Sequence, residues 1–98
     1  MLSLFNMYIV YILYSLKDKK LYIGCTSNIA ERLIAHQSGK VIATRNRRPL
    51  ELIGNEEYVD TGKTFNRERF LKSLWSGRFK KKLVKKYLAK KSSATSGL

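Results

Sequence analysis

Residues 8–14 read Tyr-Ile-Val-Tyr-Ile-Leu-Tyr, the most strand-like stretch of the chain. The run is β-branched and aromatic, of strand length and apolar on both faces, so it suits a strand covered on both sides. It predicts the central strand of a sheet. Downstream, the polar cluster Lys17-Asp18-Lys19-Lys20 separates it from a second apolar run, Leu21-Tyr22-Ile23, ended by Gly24. Two such runs split by a polar turn make an antiparallel hairpin, and pairing them brings Tyr11 near Tyr22. Upstream, residues 1–6 precede a second methionine, Met7, and read as an N-terminal extension to one domain spanning residues 7–89.

Beyond the hairpin, Asn28 with Glu31 three residues on has the form of a helix N-cap and its capping-box partner, and Gly39 is placed to close the same helix. This first helix is expected from about Ile29 to Ser38. Ile29, Ala30, Leu33 and Ile34 would form its apolar stripe, with Arg32 and His36, one turn apart, projecting together from a neighbouring face. Val41 to Pro49 reads as a basic loop around Thr44, Arg45, Arg47 and Arg48, and Leu50 to Tyr58 as a third strand. A second helix is predicted from about Thr64 to Trp75, broken by Gly77. A third, from about Arg78 to Ala89, carries Phe79, Leu83, Val84, Tyr87 and Leu88 on one face and lysines around the other. The tail from Lys90 to Leu98 is expected to be disordered. The order strand, strand, helix, strand, helix, helix predicts an α/β (α+β) domain: a small, mainly antiparallel three-stranded sheet flanked by helices.

With 98 residues, 44% of them hydrophobic, the chain can build one compact core and lacks the length for two. Its 20 Lys and Arg stand against 7 Asp and Glu, a formal charge of +13, and 12 of the basic residues but only 2 of the acidic ones lie from Val59 onward. So strong an excess points to a polyanionic partner, without choosing between DNA, RNA, an acidic protein and an anionic membrane surface. The single cysteine, Cys25, excludes an internal disulfide and a multi-cysteine zinc site. The apolar stretch Leu2 to Leu16 is too short to span a bilayer and lacks a basic leader, so no signal peptide or membrane anchor is expected, and localisation is expected to be cytoplasmic.

Few residues are left to carry chemistry. Glu68 is the most informative, since Phe65 and Leu71 flank it at three positions either side and Trp75 follows on the same row; it should be partly buried or border a cleft. An ion pair with Arg67, Arg69 or Lys72 on a solvated helix is the competing reading. Tyr11 and Tyr22 fit ordinary sheet packing as well as chemistry, and Arg32 and His36 fit a solvated helix face. A phosphate-binding glycine loop, zinc-type Cys/His spacing, a nucleophile-elbow serine and a paired-carboxylate motif are all absent from the sequence.

Taken together, Ile9-Val10-Tyr11, Tyr22-Ile23-Gly24, Arg32, His36 and Glu68 resemble the motif set of GIY-YIG nucleases. Thr44 to Pro49, Asn66 to Lys72 and Gly77-Arg78 are similar to the small standalone members of that family, which are related to the N-terminal nuclease domain of the excision-repair nuclease. The first triplet lacks the glycine, and Cys25 stands where some relatives carry a lysine.

The resemblance implies a metal-dependent endonuclease that hydrolyses DNA phosphodiester bonds in repair or recombination. Glu68 would hold one Mg²⁺ or Mn²⁺. Tyr11, with Tyr22 beside it, would position and deprotonate the attacking water, with His36 as proton acceptor or tyrosine-orienting group, and Arg32 would stabilise the phosphate in the transition state. Arg45, Arg47, Arg48, Lys72, Arg78, Lys80, Lys81 and Lys82 would hold the DNA backbone, branched or damaged DNA being candidate substrates, with a protein partner delivering it as a further option. The alternative is a non-catalytic or partner-dependent nucleic-acid-binding module on the same fold; a basic scaffold for protein or RNA is a third reading.

Overall fold

The computed structural model describes residues 7–96, with side chains through residue 92, so the expected N-terminal extension lies outside the described residues. Its elements are β1 (Tyr8–Ser15), β2 (Leu21–Thr26), α1 (Ile29–Gln37), β3 (Leu50–Tyr58), α2 (Thr61–Lys72) and α3 (Gly77–Ser96), with 3₁₀ turns at Arg45–Arg47 and Leu74–Ser76. The three strands form one antiparallel sheet in the order β2-β1-β3, which makes β1 the central strand its two-faced apolarity predicts. Ile12 pairs with Gly54 and Leu13 with Leu52, so Ile53 is the extra residue of a bulge in β3.

Alternation along β1 divides the core in two. Ile9, Tyr11 and Leu13 face α1 and pack with Leu50, Tyr22, Ile29 and Leu33. Val10 and Ile12 face the other side, against Ile23, Leu71 of α2 and Leu83 of α3. Burying a large apolar side chain contributes roughly 1.5–3 kcal/mol, and this burial carries α2. The helix holds Gly62, Asn66 and two threonines, whose poor helix propensities together cost about 2–3 kcal/mol. The Asp60 cap, accepting from the amides of Gly62 at 2.7 Å and Lys63 at 3.1 Å, contributes about 1 kcal/mol. The fully buried Leu71 offsets the rest.

The boundaries of two helices differ from the sequence reading. α2 begins at Thr61 because Asp60 caps it, and it stops at Lys72 instead of Trp75. Ser73 takes an extended backbone and its hydroxyl donates to the Phe70 carbonyl at 2.6 Å, while the buried Ser76 hydroxyl donates to the carbonyls of Leu71 and Ser73. Serine hydroxyls compete with backbone amides for helix carbonyls, which ends the helix at Lys72, five positions before Gly77. Gly77 starts α3 instead of breaking α2. α3 also runs to Ser96, so the tail expected to be disordered from Lys90 is helical as far as that residue. Ala89, Lys90 and Lys91 are good helix formers, and Lys91 lies 3.4 Å from the Tyr87 hydroxyl one turn back and 3.8 Å from Glu51. Among the described residues no helix is long and apolar enough to cross a membrane.

Candidate active site

Tyr11 sits in the middle of β1, directly opposite Gly24 of β2, with its ring on the α1 face. A Cβ at position 24 would lie 2.4 Å from both Cζ and Oη of Tyr11, so the phenol crosses β2 where only glycine leaves room. Tyr22, two residues before Gly24 and on the same face, brings its ring to 6.3 Å from that of Tyr11. The proximity expected from the hairpin is therefore present.

α1 supplies the third ring. Asn28 caps it by accepting from the Glu31 amide at 3.1 Å, and Gly39 closes it at φ +80°, both as anticipated, but the Asn28 amide donates to Thr26 Oγ1 at 3.0 Å and not to the Glu31 carboxylate expected of a capping box. Its inner face is Ile29, Leu33 and His36; Ala30 and Ile34 are exposed, so the expected four-residue stripe is narrower and turned toward the histidine. His36 is fully buried, with Nε2 2.8 Å from Tyr11 Oη and Nδ1 2.7 Å from Thr44 Oγ1. Its ring stands edge-on to Tyr11 at 5.6 Å and to Tyr22 at 5.2 Å. Arg32, one turn earlier, is exposed, so the two residues do not share an orientation.

Glu68 approaches from α2. Its side chain is 22% exposed and bonds Lys72 at 3.1 Å, so the partial burial and the ion pair expected as alternatives both hold. The apolar row argued for it does not form: Phe65 is exposed, Trp75 has left the helix, and Leu71 alone is buried. Its charge nevertheless reaches Tyr11 and Cys25. Among the described residues no cluster of three or more His, Cys, Asp or Glu side chains could enclose a metal.

The GIY-YIG catalytic domain family matches residues 7–83, spanning both tyrosines, the histidine and the glutamate. The chain belongs to the GIY-YIG family. It is similar to the UPF0213 proteins of Natronomonas pharaonis (38% identity; 66% of this chain and 76% of the relative covered) and Syntrophus aciditrophicus (42%; 66% and 76%). It is also similar to UPF0213 protein YsiG of Lactococcus lactis, at 33% identity over 87% of this chain and 82% of the relative. No solved structure gives a significant match.

The GIY-YIG motif's final glycine thus has a physical account here in the close approach of Tyr11. Burial, with Tyr22, Cys25 and Glu68 adding and Arg32 opposing, pushes the Tyr11 hydroxyl up to about 12, so it is protonated at neutral pH. Burial and then Arg32 lower His36 below its ordinary 6.5 and keep it neutral. A neutral imidazole has one proton, so it donates one of its two hydrogen bonds and accepts the other. Thr44, buried just before the 3₁₀ turn, read from the sequence only as part of a basic loop, because nothing local marks a histidine partner eight residues back.

The loop arginines are largely committed to the fold. Arg47 bonds Asp18 at 2.6 Å and the Leu21 carbonyl, tying the loop to the β1–β2 turn; Arg45 donates to Gly39, and Arg48 to Arg45 and Gln37. Lys72 is paired with Glu68. Arg78, Lys81 and Lys82 are exposed and Lys80 is half-buried on α3, which packs on the sheet face opposite Tyr11.

His36 is the chain's one histidine, which makes it easy to follow. Below pH 6.5 the unfolded chain binds a proton there that the folded chain refuses, so stability should rise with pH across the interval just below 6.5 and fall on acidification through it. The imidazole NMR signals should titrate below 6.5, and the melting temperature should drop over the same interval. A midpoint at or above 6.5 would contradict the buried neutral ring.

Proposed function

We propose that this GIY-YIG domain is a metal-dependent endonuclease that hydrolyses DNA phosphodiester bonds, with branched or damaged repair and recombination intermediates as its substrate class. The observation that carries the reading is the 2.8 Å contact between Tyr11 Oη and His36 Nε2, a phenol joined to a neutral base inside a family motif. A phenol held near 12 cannot take a proton from water unless its own proton leaves first. His36 Nε2 receives that proton while Tyr11 Oη takes one from the attacking water, and Tyr22 holds the water on the same face. This direction requires Nδ1–H to donate to Thr44 Oγ1, which has the lone pair to accept it. Arg32, exposed on α1 one turn before His36, opposes charge on the phosphate oxygens.

One partly exposed carboxylate suits a hard cation that keeps most of its waters, so Glu68 fits Mg²⁺ or Mn²⁺ as a lone protein ligand. When bound, the metal supplies charge stabilisation to the phosphate and leaving oxygen. Arg78, Lys80, Lys81 and Lys82 occupy the start of α3, immediately after the turn that follows Glu68's helix, and hold the DNA backbone there.

The reading is tested by a nicking assay on supercoiled and branched DNA with Mg²⁺ or Mn²⁺, run beside Tyr11→Phe. The wild type should nick and the variant should not; binding without cleavage on every substrate would return the non-catalytic module. Neutralising Lys80, Lys81 and Lys82 together should lower the slope of log affinity against log salt by about 2–3, at roughly 0.9 per phosphate contact. An unchanged slope would remove α3 from the DNA interface.

A further inference from the structure

Leu74 and Trp75 occupy consecutive positions of the turn between α2 and α3 and are 97% and 88% exposed, the most exposed large apolar side chains among the described residues. The turn that displays them is pinned from within. Ser76 is fully buried and its hydroxyl donates to Leu71 and Ser73, while Ser73 holds the Phe70 carbonyl. A turn fixed on its inner side with two large apolar groups aimed outward is built to receive something flat and apolar.

The surrounding charge selects what that is. No acidic residue follows Glu68 in the sequence, whereas Arg69, Lys72, Arg78 and Lys80 to Lys82 bracket the turn. A second copy would bring another +13 against this surface. Apolar faces carried on a polyanion are unstacked nucleobases, and an aromatic side chain between cations is how proteins hold single strands.

We propose that the Leu74–Trp75 turn is a stacking platform for an unpaired base, so that the domain selects DNA with a single-stranded segment, such as a fork or flap, next to the cut. This rests on the nuclease reading for the choice of DNA as ligand. The platform sits at the end of the helix that carries Glu68, separated from it by the Lys72 that Glu68 bonds. Stacking there would place the junction between paired and unpaired DNA beside the site.

Trp75 is the only tryptophan, so tryptophan emission, excited where the six tyrosines do not absorb, reports on the platform. It is titrated, with divalent metal chelated, against a single-stranded oligonucleotide, a blunt duplex and a fork. Single strand and fork should quench Trp75 and shield it from acrylamide, and the saturating blunt duplex should not. Trp75→Ala should weaken single-strand and fork binding about tenfold, leave duplex affinity and melting temperature unchanged, and be partly rescued by Trp75→Phe. Unchanged emission with DNA bound and cut would overturn the platform and leave the nuclease. Quenching by the single strand with no cleavage of any substrate would keep the platform and remove the nuclease; no binding of any DNA would remove both. A concentration-dependent emission shift without DNA would assign the surface to a second copy and overturn the proposal.

Discussion

Glu68→Gln is expected to lose metal-dependent cleavage by about a thousandfold or more while DNA affinity holds. The substitution keeps the shape of the side chain beside Leu71 and removes the one carboxylate offered to the cation. A bound metal contributes several kcal/mol to the transition state of phosphate hydrolysis, and about 4 kcal/mol corresponds to about a thousandfold in rate. The fold should survive, because the pair lost with Lys72 is exposed on one side and worth about 0–1 kcal/mol. DNA binding should be unchanged or slightly tighter, since the surface gains one unit of positive charge. Nicking rates and gel-shift affinities on the same preparations check both halves. Cleavage at the wild-type rate would take Glu68 out of the chemistry.

Gly24→Ala is the second large effect, and it tests packing before catalysis. In most strands a glycine replaced by alanine gains about 0.4–1 kcal/mol from a less flexible unfolded chain. Here the new methyl would lie 2.4 Å from Cζ and Oη of Tyr11. The phenol cannot swing aside cheaply: it is 2% exposed, flanked by Tyr22 and held by His36 at 2.8 Å. The clash should therefore win, destabilising the domain by about 1–3 kcal/mol and breaking the Tyr11–His36 contact. Denaturant unfolding measures the first, and a His36 titration midpoint displaced from the wild-type value measures the second. A variant as stable as wild type with an unmoved histidine would show that the ring has slack that the close contact denies.

Much of the fold was legible because it is written in local patterns. Residues 8–14 are apolar on both faces, and β1 is the strand with a helix layer on each side. Asn28 and Gly39 act where capping chemistry placed them, since a cap needs only its own turn. The end of α2 was missed for the opposite reason. The periodicity of Phe70, Leu71, Leu74 and Trp75 is helical on paper, but two serine hydroxyls taking helix carbonyls, one from a buried position, outweigh it. Tyr11, Tyr22 and His36 were legible as separate candidates and illegible as a network, because the Tyr11–His36 bond joins positions 25 residues apart.

One small α+β domain, a two-tyrosine hairpin and a cationic second half follow from the order and charge of the residues, for strand alternation, helical spacing and net charge are properties of neighbours along the chain. The neutral, Thr44-bound state of His36, the commitment of Arg45, Arg47 and Arg48 to loop carbonyls and Asp18, and the outward turn of Trp75 were decided by packing. The His36 state and the Arg47–Asp18 pair depend on which polar group arrives from a distant segment, and desolvation acts on the assembled pair rather than on either residue alone, whereas the turn of Trp75 hangs on the Ser73 and Ser76 hydroxyls beside it.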